Sequence, residues 1–291
     1  MNSGNAGSGS TRMLIDASGL PEHEAWRLLV AVTGRSPGEV RSGVEFTTEQ
    51  GSSFEDLVRR RLSGEPLQYL EGSVPFGPVE VMVDRRVLIP RPETEFLYEL
   101  VGKGAAAPGV IVDLCTGSGA LALALKHHFP AARVIGTDLS GEALDVAARN
   151  GVHNQLEVEW RRGDLFAALP AGVRGRVDLV VANPPYIAAG DWDSLPTDVR
   201  HEPYGALVAG PAGTEVVERI IGEVGDWLSP AGQAWVEVGD RQAEVLAGRY
   251  EVEVVPDQYG LPRFLVAKGG LPGRRPHRRQ AAGPSPARPP G

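Results

Sequence analysis

The chain has 291 residues, with 29 Lys and Arg against 37 Asp and Glu, a net charge of −8, one cysteine and six histidines. The length suits a modest catalytic domain with an appendage, and Cys115 alone excludes an internal disulfide or a cysteine-based zinc site. No apolar run long enough to span a membrane, no metal-ligand spacing of histidines and no signal-peptide pattern are present, so a cytoplasmic, metal-free protein is expected.

Residues 1–12 are rich in Gly, Ser and Asn and read as disordered. Residues 13–72 read as a small helical unit. Ala25, Leu28, Leu29 and Val32 fall at helical spacing in Glu22–Val32, as do Phe54, Leu57, Val58 and Leu62 in Phe54–Leu62. Thr47-Thr48 and Ser52-Ser53 both offer N-caps, and Gly64 can close the second helix before Pro66. Residues 73–100 read as a hairpin and the start of the catalytic domain, with Val79, Val81 and Val83 alternating. Over residues 101–268, apolar strands alternate with helices: Val110–Leu114 then Ala120–His128, and Arg133–Asp138 then Glu142–Asn150. Leu156–Trp160, Val177–Ala182, Thr214–Leu228 and Gln233–Val238 follow, and Tyr250–Val255 with Arg263–Ala267 closes as an antiparallel pair. Such repetition predicts an α/β fold with a mostly parallel sheet, whose ligands bind beyond the carboxyl ends of the strands. Residues 269–291 hold Arg274, Arg275, Arg278, Arg279 and Arg288 among prolines and no acid, and read as a disordered basic tail. The body left behind is more acidic still, which argues against stable nucleic-acid binding.

The motifs sit where strands end. Asp113-Leu-Cys-Thr-Gly117-Ser-Gly119-Ala follows an apolar strand and opens a helix, and its glycines allow a ligand close to the backbone. No Gly-Lys-Ser/Thr follows, so it is not a phosphate-gripping P-loop. Gly117-x-Gly119-x-x-Ala122 also fits a degenerate dinucleotide fingerprint, which leaves a dinucleotide-dependent oxidoreductase open. Asp138, ending the next strand, is placed to accept hydrogen bonds from ribose hydroxyls. Asp113 would repel a pyrophosphate, and could instead reach the amino acid end of S-adenosylmethionine, directly or through water. Asp164-Leu165-Phe166 would lie near the adenine.

Val177–Ala182 ends in Asn183-Pro184-Pro185-Tyr186-Ile187. A planar amide or amine nitrogen is a poor nucleophile because its lone pair is delocalised. The Asn183 side-chain carbonyl can accept one N–H of such a group, and the Pro184 carbonyl another. The lone pair is then turned toward an electrophilic methyl, and developing positive charge is stabilised. Tyr186 can pack on the planar group. No general base is required.

Asp113–Gly119, Asp138 and Asn183–Tyr186 together resemble a class I S-adenosylmethionine-dependent methyltransferase of the N-methylating type. Leu88-Ile-Pro-Arg91-Pro-Glu93-Thr-Glu95 is the more specific match. With Glu65–Gly72, His201-Glu202-Pro203, Ala206-Leu207 and Glu237-Val-Gly239…Gln242 it resembles the HemK/PrmC family, the release factor glutamine methyltransferases, over roughly residues 14–268. The resemblance implies a Rossmann-like, mostly parallel seven-stranded sheet behind a helical substrate-recognition domain at residues 13–72. It implies N5-methylation of the glutamine in the Gly-Gly-Gln loop of peptide-chain release factors. Asn183, Pro184, Pro185 and Tyr186 would carry catalysis and hold the substrate, with Arg91 and Glu93 shaping the site. Cofactor contacts would come from Asp113, Cys115, Thr116, Gly117, Ser118, Gly119, Asp138, Asp164, Leu165 and Asn183. The expected partner is a release factor, with no membrane and no stable nucleic-acid binding, and the chain is expected to be a monomer. Cys115 stands where the family usually has Gly, and Leu165 where it often has Trp. Another protein glutamine or a nucleic-acid adenine N6 remains an alternative target, and a binding protein that kept only the fold is a further one.

Overall fold

A computed structural model describes residues 6–104 and 107–270. Five helices open the chain: α1 Ala6–Ser18, α2 Glu22–Thr33, α3 Pro37–Ser42, α4 Thr48–Leu62 and α5 Leu67–Glu71. The disorder expected through residue 12 is corrected from Ala6 onward, because Ile15 packs into the core of this unit with Leu28, Leu29 and Phe54. Arg12 adds ion pairs to Asp16 and Glu22. Packing of an apolar face, rather than the Gly/Ser propensity, fixes the helix. Of the two N-caps offered for α4, the chain uses Thr47: its hydroxyl accepts the Gln50 N–H at 3.1 Å, and the Gln50 side chain accepts the Thr47 N–H at 3.1 Å. The expected basic tail lies outside the described residues from 271 on.

The hairpin of β1 Ser73–Phe76 and β2 Val79–Met82 is antiparallel and lies against the catalytic domain. Buried Asn150 pins it there, accepting the Met82 N–H at 2.8 Å and donating to the Met82 carbonyl at 3.0 Å. α6 Pro92–Gly104 then begins inside a stretch that the sequence reads only as a motif. Its signals were present: proline at the first position, Glu93 and Glu95 in the first turn, and buried Thr94, Leu97 and Val101 on one face.

The catalytic domain continues with β3 Val110–Leu114, α7 Ala120–His128, β4 Arg133–Asp138, α8 Gly141–His153, β5 Glu159–Arg162 and β6 Val177–Ala182. Next come β7 Ile187–Ala188, α9 Tyr204–Leu207, β8 Val208–Gly210, α10 Glu215–Val224, β9 Leu228–Glu237, α11 Asp240–Arg249, β10 Glu253–Pro256 and β11 Pro262–Lys268. Seven strands form one sheet in the order β10-β11-β9-β6-β3-β4-β5, parallel except where β11 pairs with β9 and β10. β7 pairs with β8 outside it. The fifth strand is later than the periodicity of Leu156–Trp160 suggests. Leu156 donates its N–H to the Gly151 carbonyl at 3.0 Å and so belongs to the turn closing α8.

Alternation along the strands separates two cores. Ile111, Leu179 and Val181 face Leu97, Leu121 and Leu125 on one side of the sheet. Val112, Val180 and Ala182 face Val217, Ile220 and Leu246 on the other. After β3 the chain moves outward through β4 and β5 and returns to place β6 on the opposite side of β3. The reversal opens a crevice at the carboxyl ends of β3 and β6, where ligands of such sheets bind. Among the described residues, no helix is long and apolar enough to cross a membrane, and no cluster of side chains is suited to hold a metal ion.

Candidate active site

The turn after β3 is held by bonds within itself and to the end of β4. Asp113 is 2% exposed, and its Oδ2 accepts both the Thr116 hydroxyl and the Ala122 N–H. The Thr116 N–H reaches the Thr137 carbonyl at 2.9 Å, and the Gly119 N–H reaches the Thr116 carbonyl at 2.8 Å. Gly119, with φ of +81°, lies where a Cβ would meet the Trp160 ring at 2.8 Å. Cys115 and Gly117 also have positive φ, +56° and +54°. For Gly117 the conformation is free, whereas Cys115 carries the steric cost of a side chain there.

A cavity of about 560 Å³ opens beyond this turn. Cys115, Gly117, Asp138, Asp164, Leu165 and Asn183 line it. Asp113, Thr116, Ser118 and Gly119 do not; they form the wall behind it. Asp113 braces the turn from behind the cavity wall. Burial pushes its carboxyl up to about 7.

Asp138 ends β4 with Oδ2 accepting the Gly117 N–H at 2.9 Å and Oδ1 accepting the Ser140 N–H at 2.8 Å. Each oxygen keeps a further lone pair for a hydroxyl. Burial raises its pKa, and the backbone N–H groups oppose that shift. Asp164 is half-exposed and shares its charge with Arg219 at 2.9 Å. Leu165 is buried at a φ of +49°, so its side chain borders the cavity from a conformation unusual outside glycine.

A second cavity of about 220 Å³ adjoins the first, lined by Arg91, Pro184, Tyr186 and, as shared walls, Asn183, Pro185 and Leu88. Asn183 thus stands at the passage between a large and a small cavity. Glu93 lines neither cavity. Its charge acts behind the wall, raising the pKa values of Tyr186 and Glu237. Burial is the main cause of the upward shift at Tyr186, which stays a neutral phenol.

The Asn183–Tyr186 turn is held from a distance. Asn183 Nδ2 donates to Thr94 Oγ1 of α6 at 2.8 Å, and Thr94 Oγ1 donates to Glu237 Oε2 at the end of β9 at 2.8 Å. Gln242 of α11 donates to the Tyr186 carbonyl at 2.8 Å and to the Gly213 carbonyl at 3.2 Å. At Gly213 a Cβ would meet the Tyr186 carbonyl oxygen at 2.8 Å, so only glycine admits this approach. Glu202, 4% exposed, accepts the Ile89 N–H at 2.9 Å and pairs with Arg91. It fixes the segment before α6 against the segment after the turn. Sequence reasoning assigned no role to Thr94, Glu202, Glu237 or Gln242. The available signal was that each lies inside a motif quoted for the family resemblance.

Two features fit an adenosine-containing methyl donor in the larger cavity. Thr137 Oγ1 is buried on its wall without a hydrogen-bond partner, and a Cβ on Gly117 would meet nothing within 4 Å, leaving room at the backbone. The volume lies in the range of small-molecule sites, about 300–1,000 Å³.

Two family models and several named relatives match the chain. A family model described as a PrmC N-terminal domain matches residues 9–72, and one described as a methyltransferase small domain matches residues 92–197. A release factor glutamine methyltransferase of Deinococcus radiodurans is 38% identical, covering 85% of this chain and 91% of its own. That of Bordetella pertussis is 40% identical, covering 86% and 96%. That of Mycobacterium leprae is 42% identical over 74% of this chain and 78% of its own.

Proposed function

This chain belongs to the family of release factor glutamine methyltransferases, and from that premise we propose that it methylates the side-chain nitrogen of a release factor glutamine. The methyl donor is S-adenosylmethionine, which supplies an electrophilic methyl group on a sulfonium when bound. The single observation that carries the reading is the place of Asn183 between the two cavities. A side chain entering the smaller cavity meets the larger one along the wall that Asn183 shares with Leu88 and Pro185.

Gly117, Asp138 and Thr137 would hold the donor, Asp138 through ribose hydroxyls. Arg91, Pro184 and Tyr186 enclose the incoming carboxamide. The Asn183 side-chain oxygen and the Pro184 carbonyl accept its two N–H protons. Held so, the nitrogen lone pair turns toward the donor cavity, and both oxygens stabilise positive charge as it develops on nitrogen. No general base is needed in this scheme, since the methylated nitrogen becomes acidic and releases its proton to water. Tyr186, kept neutral, offers its ring to the planar group. The oxidoreductase alternative gives the Asn183–Tyr186 turn no task.

The finer readings extend this one. We assign the target to the Gly-Gly-Gln loop, substrate recognition to the helical unit, and a cytoplasmic monomer as the working form. The acidic body supports a protein rather than a nucleic-acid target. Incubation of the purified protein with S-adenosylmethionine and a release factor, followed by peptide mass spectrometry, tests the assignment. A methyl group on the glutamine supports it, and an unmodified glutamine refutes it.

A further inference from the structure

A carboxamide presents oxygen and nitrogen with nearly the same shape, so Asn183 serves as an acceptor only if something fixes which end faces the substrate. Its Nδ2 donates to Thr94 Oγ1 at 2.8 Å, and Thr94 Oγ1 donates to Glu237 Oε2 at 2.8 Å. The threonine hydroxyl has a single proton. An ionised carboxylate can only accept, so it takes that proton and leaves Thr94 a lone pair. That lone pair is matched by the NH₂ of Asn183, not by its oxygen. Glu237 is 1% exposed and lines neither cavity. A carboxyl buried this deeply is costly to maintain, and the transfer step does not itself require it.

We propose that Glu237, acting through the Thr94 hydroxyl, is a positioning residue that sets the amide orientation of Asn183 and so turns its oxygen toward the substrate. This rests on the reading of Asn183 as the acceptor for the substrate amide. The relay has a direction that protonation can reverse: a protonated Glu237 can donate to Thr94, and Thr94 can then donate to the Asn183 oxygen. Burial, helped by the Glu93 charge and opposed by Thr94, Arg263 and Arg91, leaves the Glu237 carboxyl raised to about 7. Tyr186 also faces this cluster and remains neutral.

Two variants and one spectrum test the relay. Thr94→Val keeps the shape and removes both hydrogen bonds, whereas Thr94→Ser keeps the hydroxyl. The valine variant should lose about tenfold or more in kcat for release factor methylation with S-adenosylmethionine affinity within about twofold, and the serine variant should recover most of the loss. An unchanged kcat in Thr94→Val, equal losses in the two variants, or a loss that lies in cofactor affinity would overturn the proposal. The NMR arm needs no protein substrate. The side-chain amide of Asn183, assigned by its absence in Asn183→Ala, should shift with a midpoint near pH 7 and lose that response in Thr94→Val and Glu237→Gln. A pH-independent Asn183 amide in the wild-type protein overturns the relay whether or not a release factor is methylated. Failure of methylation with the NMR response intact refutes only the substrate assignment.

Discussion

The turn after β3 and the turn after β6 lie side by side at the carboxyl edge of the sheet, on strands paired in parallel from Ile111 with Leu179 to Leu114 with Ala182. They are held in opposite ways. In the first, Asp113 bonds to Thr116 and Ala122, three and nine residues away. In the second, Asn183 reaches Thr94 across 89 residues of chain, and Tyr186 is held by Gln242 across 56. The first shape is therefore set by its own motif and by the strand and helix that follow it, where Thr137, Asp138 and Asn150 bond to it from at most 32 residues away. The second exists only once α6, β9 and α11 have packed around it. A cofactor loop needs a fixed backbone cradle, which short-range bonds supply. A substrate turn needs a side chain aimed to within a fraction of an ångström, and supports from several elements supply that.

The sharpest way to test this contrast is to remove Asn183 from the second turn and, for the first, Asp138, the β4 carboxylate that anchors it and faces the larger cavity. Asn183→Ala should lower methyl transfer by about 100-fold or more while cofactor affinity stays within about threefold. Steady-state kinetics beside calorimetry of S-adenosylmethionine binding would show the split. Asp138→Ala should do the reverse and weaken cofactor affinity by about 10–100-fold, because a charged acceptor and the anchor of the Gly117 N–H are both lost. If both variants damaged binding and turnover alike, the two turns would not be separate devices.

The outcome at Asp113 shows how far sequence can be read. The glycine spacing, the ends of β3, β4 and β6, and the place of Asn183 were all legible, because each depends on short-range rules of strands and turns. The direction in which Asp113 points was not, because Thr116 and Ala122 compete with any ligand for it. Thr94 and Glu237 were hidden for a different reason. Their partners lie 89 and 143 residues away, and only the packed sheet brings them together. The helix from Ala6 was missed since its composition is poor for helices, while Ile15 with Leu14 anchors its packing.

Two smaller effects refine the local half of the contrast. The folded-state pKa of Asp113, about 7, lies above its ordinary value of 3.8. Its contribution to stability is thus fully present below about pH 4 and is lost as pH rises toward 7. Asp113→Asn keeps an oxygen to accept both hydrogen bonds and carries no charge. Thermal melts of this variant should show a flatter decline between those pH values, with cofactor affinity nearly unchanged. A large loss of affinity would return Asp113 to the cofactor. Cys115→Gly should relieve the cost of a side chain at φ of +56°, about 1 kcal/mol, and raise Tm by about 2–4 °C without weakening cofactor binding. A lower Tm would mean that the thiol's contacts outweigh the strain.

The most direct measurement is a methylation assay of a release factor with S-adenosylmethionine, comparing wild-type protein and Asn183→Ala by peptide mass spectrometry. A methyl group on the release factor glutamine in the first reaction, and almost none in the second, is the predicted result. Equal methylation by both proteins would contradict the role of Asn183, and an unmodified glutamine in both would contradict the substrate.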